Sequence, residues 1–358
     1  MLQSSKKSII IFLVNSGNYF GAEKINVKII KKLQTKYLFY YASPKGSVDK
    51  ILKEHDIRHI IISKIDRKTI RNIEKIYHPD LIHATDYKTS VMCALANIKT
   101  PFISHLHSSV PWLDKIHPYT IAYLLAAEKA KKIITVSDSI EKRYIFSTFV
   151  QNKFQCILNP VCSKEILSKA GAASDKRYDI CFVGRLSEEK QPLLFLDIIK
   201  SLKKKYPNLK TIMLGDGDLR KKVVEKIKKE QMTEYVLWKG FQSNPYKFMN
   251  QSKILLLPSR YEGCPLVVLE ALVLGLPCVV ADVGGLSDIL TDKCGFLCKE
   301  KSSYQKYLSI LLKHTSIYEK YSDESRKRAM FLENRFHYME KVDNCYQQIL
   351  EEREYGTE

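Results

Sequence analysis

The chain has 358 residues, 45% hydrophobic and 27% charged, which is too long for one ordinary core and too apolar for a disordered chain, so two globular domains are expected. Its nine cysteines are scattered, odd in number and free of any CxxC pair, which argues against a disulfide framework or a zinc knuckle and for a reducing, cytoplasmic setting. The net charge of +19 is uneven, with 25 Lys and Arg against 12 Asp and Glu in residues 1–160 and 33 against 27 in the remainder; such a field suits nucleic acid, an anionic membrane surface or a phosphorylated acceptor, or is simply a solvated lysine-rich surface.

The first element is the short apolar run Ile9–Val14, a strand rather than a signal peptide. Further β-branched runs follow at 36–43, 57–63, 80–85, 101–107 and 132–137, each separated from the next by a helical stretch. Strand alternating with helix implies a parallel sheet covered on both faces. The small, polar stretch 162–177 reads as an interdomain linker, after which the pattern restarts at 178–185, 209–216, 234–240, 253–259, 276–282 and 294–298. The expected fold is therefore α/β, two doubly wound Rossmann-like domains (1–165 and 176–335) facing a central cleft. The chain beyond about residue 300 reads as helical, and a last helix at about 336–358 is expected to pack back on the first domain. The longest apolar stretch, 265–281, is broken by Glu270, Gly275 and Pro277, so no membrane-spanning helix is expected.

Two loops of the second half carry the chemistry. Strand YDICFVGR leads into LSEEKQPLLFLDII, read as a helix that Ser187 can cap and that holds Pro192 near its first turn. Arg185 and Lys190 then stand with a helix N-terminus at the mouth of the sheet, an anion site suited to a diphosphate, although Arg185 could merely pair with Glu188 or Glu189. The segment KILLLPSRYEGCPLVVLEALVLG repeats the design, with Gly263 allowing close backbone approach and Pro265 in the opening turn of the helix. Glu270 lies inside that helix among Val267, Val268, Leu269 and Leu272. A carboxylate there needs donors, because an unpaired buried charge is costly. Ribose hydroxyls would supply them, or a neighbouring Arg or Lys would. Glu262, in the loop, is better placed for a sugar ring.

FVGRLSEEK together with LPSRYEGCPLVVLEALVLGLPCVVADVGG resembles family 4 of the retaining glycosyltransferases, whose members have the two-domain GT-B fold; Glu262 and Glu270, eight positions apart, match its paired-glutamate motif. FGAEK (20–24), HLHSS (105–109), ITVSD (134–138), LNPV (158–161) and GDGDLR (215–220) fall in the family's order, so the resemblance spans roughly residues 10–300. It implies that Arg185 and Lys190 hold the donor diphosphate, with backbone N–H groups at Gly21 contributing from the other domain. It implies further that Glu270 binds the ribose, that Gly240 and Phe241 lie near the base, and that Glu262 with the backbone of Gly263, Cys264, Pro265 and Leu266 faces the transferred sugar. His107 matches the family histidine near the reacting carbon, and His105 is expected on the other face of its strand. Cys264, where Phe is frequent, and Asp288, where Glu is usual, depart from the pattern and bear on sugar specificity.

The resemblance implies transfer of a hexose from a nucleotide diphosphate sugar, expected to be a UDP-sugar, to a saccharide or polyprenyl-diphosphate-linked acceptor in cell-surface polysaccharide synthesis. No cofactor and no metal are expected, and the departing diphosphate is stabilised by cations and helix N-termini. Asp216-Gly217-Asp218 resembles a metal-binding DxD but is read as a turn. Lys24, Lys28, Lys31 and Lys32 at helical spacing, and Lys64, Arg67, Lys68, Arg71 and Lys75, would fit an anionic membrane surface at the inner leaflet, making the protein peripheral. A GT-B epimerase or phosphorylase is the alternative. A basic nucleic-acid binder is disfavoured, because no recognition motif or aromatic-interleaved basic stretch is present.

Overall fold

The computed structural model describes residues 7–172, 175–335 and 337–355. The described chain divides into two compact units, one running to Asn159 and resuming at His337, the other from Pro160 to residue 335. The first holds β1 (Ile9–Leu13), β2 (Leu38–Ser43), β3 (Arg58–Ile61), β4 (Leu81–Ala84), β5 (Phe102–Leu106), β6 (Lys132–Thr135) and β7 (Phe154–Cys156). All pair in parallel, in the order β3-β2-β1-β4-β5-β6-β7. Ile10, Ile11, Phe12 and Leu13 are fully buried, as a central strand covered by helices on both faces requires. The sequence gives no sign of β7, a three-residue strand without an apolar run. The helix Tyr338–Tyr355 lies on this unit: Asp343 accepts hydrogen bonds from Tyr37 Oη (2.7 Å) and Lys36, and Arg353 pairs with Asp80 at 3.0 Å.

The second unit holds β8 (Tyr178–Val183), β9 (Thr211–Leu214), β10 (Val236–Trp238), β11 (Ser252–Leu257), β12 (Cys278–Ala281) and β13 (Gly295–Cys298), again all parallel, in the order β10-β9-β8-β11-β12-β13. Strand order reverses between β8 and β11, so the loops leaving these two strands flank the switch point where doubly wound sheets bind ligands. In the first unit the corresponding reversal lies between β1 and β4.

Two local expectations need correction. The stretch 162–177 is not simply a linker, because Ser163–Ala170 forms a helix with Ile166 and Ala170 buried, fastened to the second unit by Asn244 donating to the Lys169 carbonyl at 2.8 Å. The helix after β8 begins at Pro192, not near Ser187. The residue before a proline is disfavoured in the right-handed helical region, and Gln191 takes a left-handed conformation (φ +48°) with residues 187–190 turned ahead of it. Ser187 therefore caps nothing.

Candidate active site

In the second unit β8 ends at Val183 and passes through Gly184, Arg185 and Leu186 into the 187–190 turn. The position of this loop is set by the GDG turn below it. Gly215 sits at φ +135°, where an added Cβ would lie 1.9 Å from the Gly184 carbonyl oxygen, and Leu186 exchanges backbone hydrogen bonds with Asp216 O (3.0 Å) and Leu219 N (2.8 Å). Only a residue without a side chain allows that approach. Asp216 is used within its own turn, accepting from Gly217 N at 2.8 Å and lying 3.4 Å from Arg220. Arg185 is half-exposed with Glu189 at 3.6 Å, the pairing that the sequence left open.

The loop after β11 is tied to this one. Arg260 N–H donates to the Glu189 carbonyl at 2.7 Å, and the Gln191 amide, oriented to satisfy both neighbours, bridges the Pro258 carbonyl and Arg260 Nε at 2.7 Å each. That brings Lys190 onto Glu262: Nζ lies 2.6 and 2.7 Å from the two carboxylate oxygens, and the glutamate is only 3% exposed. A second glycine contact holds the carboxylate's own backbone, because Gly284 (φ +59°) packs so closely that a Cβ would stand 1.8 Å from the Glu262 carbonyl oxygen. Gly285 N–H also donates to Gly263 O at 3.0 Å. Cys264 is buried, and Pro265, in extended conformation, precedes the helix Leu266–Val273.

Glu270 is 8% exposed inside that helix, and its donor is neither Arg nor Lys: Tyr246 Oη donates to Oε1 at 2.9 Å. Among the described residues no hydrogen bond reaches Oε2. Gly240, at φ +68°, accepts from Gly215 N–H at 2.8 Å and leads to Phe241, whose ring is 60% exposed. The structure thus sets Arg185, Lys190, Glu262 and the start of the 266–273 helix around one switch point, with Gly240 joined to it through the Gly215 turn.

Gly21 and His107 belong to the first unit. Gly21 opens the helix Gly21–Leu33, where Glu23 accepts from Phe20 N–H at 3.0 Å, and a Cβ on Gly21 would meet nothing within 4 Å. His107 follows β5, its two ring nitrogens covered and without hydrogen-bond partners in the protein. Burial pushes its pKa down to about 4, so at neutral pH the ring is neutral. His105 does not face away from it. Residues two apart on a strand share a face, and the two rings lie 4.0 Å apart between centroids. Behind them His83 on β4 reaches His105 across the sheet at 3.0 Å.

Residues 163–328 match the family described as glycosyl transferases group 1, and residues 44–163 match Glycosyltransferase Family 4. An uncharacterized glycosyltransferase of Methanocaldococcus jannaschii is 30% identical over 287 residues, covering 72% of this chain and 71% of its own length. The chain belongs to the family 4 (group 1) glycosyltransferases. The glycosyltransferase is also 26% identical, over 67% of each chain, to the Campylobacter jejuni enzyme named for adding α-1,4-N-acetyl-D-galactosamine to an undecaprenol-diphosphate-linked saccharide. Its fold is that of GT-B structures such as HepE of Anabaena, crystallised with UDP and glucose, with a TM-score of 0.79 over 97% of this chain and 99% of that one at 20% identity.

Sequence reasoning missed several groups of this glycosyltransferase. Tyr246, the partner of Glu270, comes from a five-residue helix, and nothing in its local pattern marks it. Ser187, read from the sequence only as a helix cap, and Ser259 are both nearly fully buried and carry hydroxyls with no partner in the loops after β8 and β11. A buried hydroxyl without a partner is the signal that could have flagged them, and it exists only in three dimensions. Among the described residues no cluster of metal-ligating side chains occurs, and no helix is long and apolar enough to cross a membrane.

Proposed function

We propose that this glycosyltransferase moves a hexose from a UDP-sugar to a saccharide or polyprenyl-diphosphate-linked acceptor, retaining the anomeric configuration without a metal. The observation that carries this reading is the Lys190–Glu262 pair at the switch point of the second sheet. An ammonium has three N–H groups, and Glu262 occupies two of them, leaving the third for a phosphate oxygen of the donor. Arg185 adds a second cation, and the first N–H groups of the 266–273 helix add fixed dipoles. Tyr246 holds one oxygen of Glu270, so the other can accept from the ribose. Phe241 offers an exposed ring to the base. A neutral His107, with one nitrogen donating and one accepting, suits a sugar hydroxyl, which does both.

In the transfer, the bond from the sugar's anomeric carbon to the β-phosphate oxygen breaks and the bond to the acceptor oxygen forms on the same face. The acceptor's proton passes to the departing phosphate oxygen, whose growing charge Lys190 and Arg185 neutralise in place. UDP as carrier is supported by HepE, and a lipid-linked acceptor by the Campylobacter relative. The exposed basic residues Lys31, Lys32, Lys64, Arg67, Lys68, Arg71 and Lys75 support docking at an anionic inner leaflet. A thermal-shift panel of nucleotide sugars tests the donor assignment, since a ligand that binds only the folded state raises the melting point. UDP-sugars should raise it in the wild type and less in Glu270→Ala. No shift with any nucleotide sugar would refute the reading. Charge reversal at Lys31 and Lys32 should reduce partitioning to anionic vesicles, and unchanged partitioning removes the membrane part.

A further inference from the structure

His107 is the end of a chain of side chains that begins in the C-terminal helix. Tyr346 Oη lies 2.7 Å from His83 Nδ1, His83 Nε2 lies 3.0 Å from His105 Nδ1, and the His105 ring lies against that of His107. Tyr346, His83 and His105 are fully buried, and they come from the helix Tyr338–Tyr355, from β4 and from β5. His105 Nε2 is buried with no partner in the protein.

The hydrogen-bond direction follows from what each group must satisfy. If the tyrosine hydroxyl donates to His83 Nδ1, then His83 carries its proton on Nε2, donates it to His105 Nδ1, and His105 carries its own proton on Nε2. One donor, His105 Nε2–H, is left over. If the chain ran the other way, the Tyr346 hydroxyl hydrogen would have no acceptor and the His105 Nε2 lone pair no donor, leaving two groups unsatisfied in a dry interior. A protonated imidazole in the middle is excluded by the cost of burying its charge, which pushes His83 down to about 3. Phe12, stacked on His83 with ring centroids 4.3 Å apart, and the edge of Tyr346 then hold that ring in its plane.

We propose that Tyr346, His83 and His105 are positioning residues of the transfer reaction, a one-way relay that fixes His105 as its Nε2–H tautomer and uses that ring as the platform orienting His107 toward the sugar. The inference rests on the reading of His107 given above and assigns the C-terminal helix a part in it. Its distinctive consequence is that a single hydroxyl on residue 346, far along the chain from the histidine it serves, decides a tautomer on β5.

Long-range 1H–15N spectra of 15N-histidine-labelled wild type and Tyr346→Phe test this directly, with the signals assigned by single His→Asn variants. His83 and His105 should both be protonated on Nε2 in the wild type. In Tyr346→Phe, which loses only the hydroxyl, His83 should show exchange between tautomers. UDP release from whichever of UDP-glucose, UDP-galactose, UDP-N-acetylglucosamine or UDP-N-acetylgalactosamine binds should then slow about tenfold in kcat with little change in KM. A His105 protonated on Nδ1 in the wild type, or an unchanged kcat in a folded Tyr346→Phe, would overturn the relay. His107→Ala with undiminished turnover would instead overturn the role of His107 while leaving the tautomer measurement standing, so the two failures are distinguishable.

Discussion

In the second unit the charged side chains of the site already meet protein partners, Lys190 on Glu262, Arg185 near Glu189 and Glu270 on Tyr246, whereas in the first unit His107 presents two ring nitrogens that meet none. The two halves are prepared by different physics. One is a set of charges held in place by ion pairs and by glycine turns pressed against carbonyl oxygens. The other is a file of neutral rings held in place by burial. Measurements that separate charge from burial should therefore separate the units.

Acid gives the largest expected difference. Burial holds His83 at about 3 and His107 at about 4 and drives His105 well below the ordinary imidazole value, so between those values and about 6.5 the unfolded chain binds protons that the folded one refuses. Stability contributed by each histidine is thus complete above pH 6.5 and lost as pH falls, at about 1.4 kcal/mol per pH unit for each ring. Asp86 and Glu141, each lifted by its own burial, work in the opposite sense, but two carboxylates oppose three imidazoles. Amide exchange at pH 5 should show β4 and β5 losing protection while β8 and β11 keep theirs. Equal loss in both units would mean that the histidines are not held neutral.

Next in size is the ion pair. Lys190→Met leaves a 3%-exposed carboxylate without its cation, which should cost about 3 kcal/mol in denaturant unfolding. Adding Glu262→Gln should restore most of that stability while transfer stays lost, because the cation proposed for the phosphate is still missing. If the double variant is no more stable than the single, Glu262 is finding another partner. Gly284→Ala ranks below this, at about 2 kcal/mol, since a left-handed backbone and a carbonyl 1.8 Å away must both be accommodated. Gly21→Ala in the first unit, with open space around its missing Cβ, should change stability by no more than about 0.5 kcal/mol.

The same contrast explains what the sequence could and could not reveal. Each site loop of the second unit is local: FVGRLSEEK and LPSRYEGCPLVVLEALVLG carry strand, turn and helix start in single runs, so Arg185, Lys190, Glu262 and Glu270 are legible as a set. Their pairing is not, because Lys190 and Glu262 stand 72 positions apart and meet only when β8 and β11 become neighbours. The relay of the first unit is still less local. His83 and Tyr346 are 263 positions apart, and His105 and His107 read as opposed only if the two-residue period of a strand is misapplied. Ser187 misled for a simpler reason: Pro192 reads as a helix opener, and how far ahead of it the helix begins depends on the backbone of Gln191.

The smallest effect in the second unit is also the most informative about Glu270. Tyr246→Phe removes one hydroxyl and keeps the ring, which is itself nearly buried. The lost hydrogen bond should lower stability by about 1 kcal/mol. Two outcomes for donor affinity then discriminate between roles. If Tyr246 only satisfies a buried carboxylate, affinity for a UDP-sugar should be unchanged or improved, because Glu270 then has both oxygens free for ribose. If Tyr246 aims the carboxylate, affinity should fall about threefold to tenfold, with the loss in binding rather than in turnover. The second outcome is expected, since the terminal carboxyl torsion of a glutamate is broad even where its stem is packed, and the Tyr246 hydroxyl is the group that fixes it.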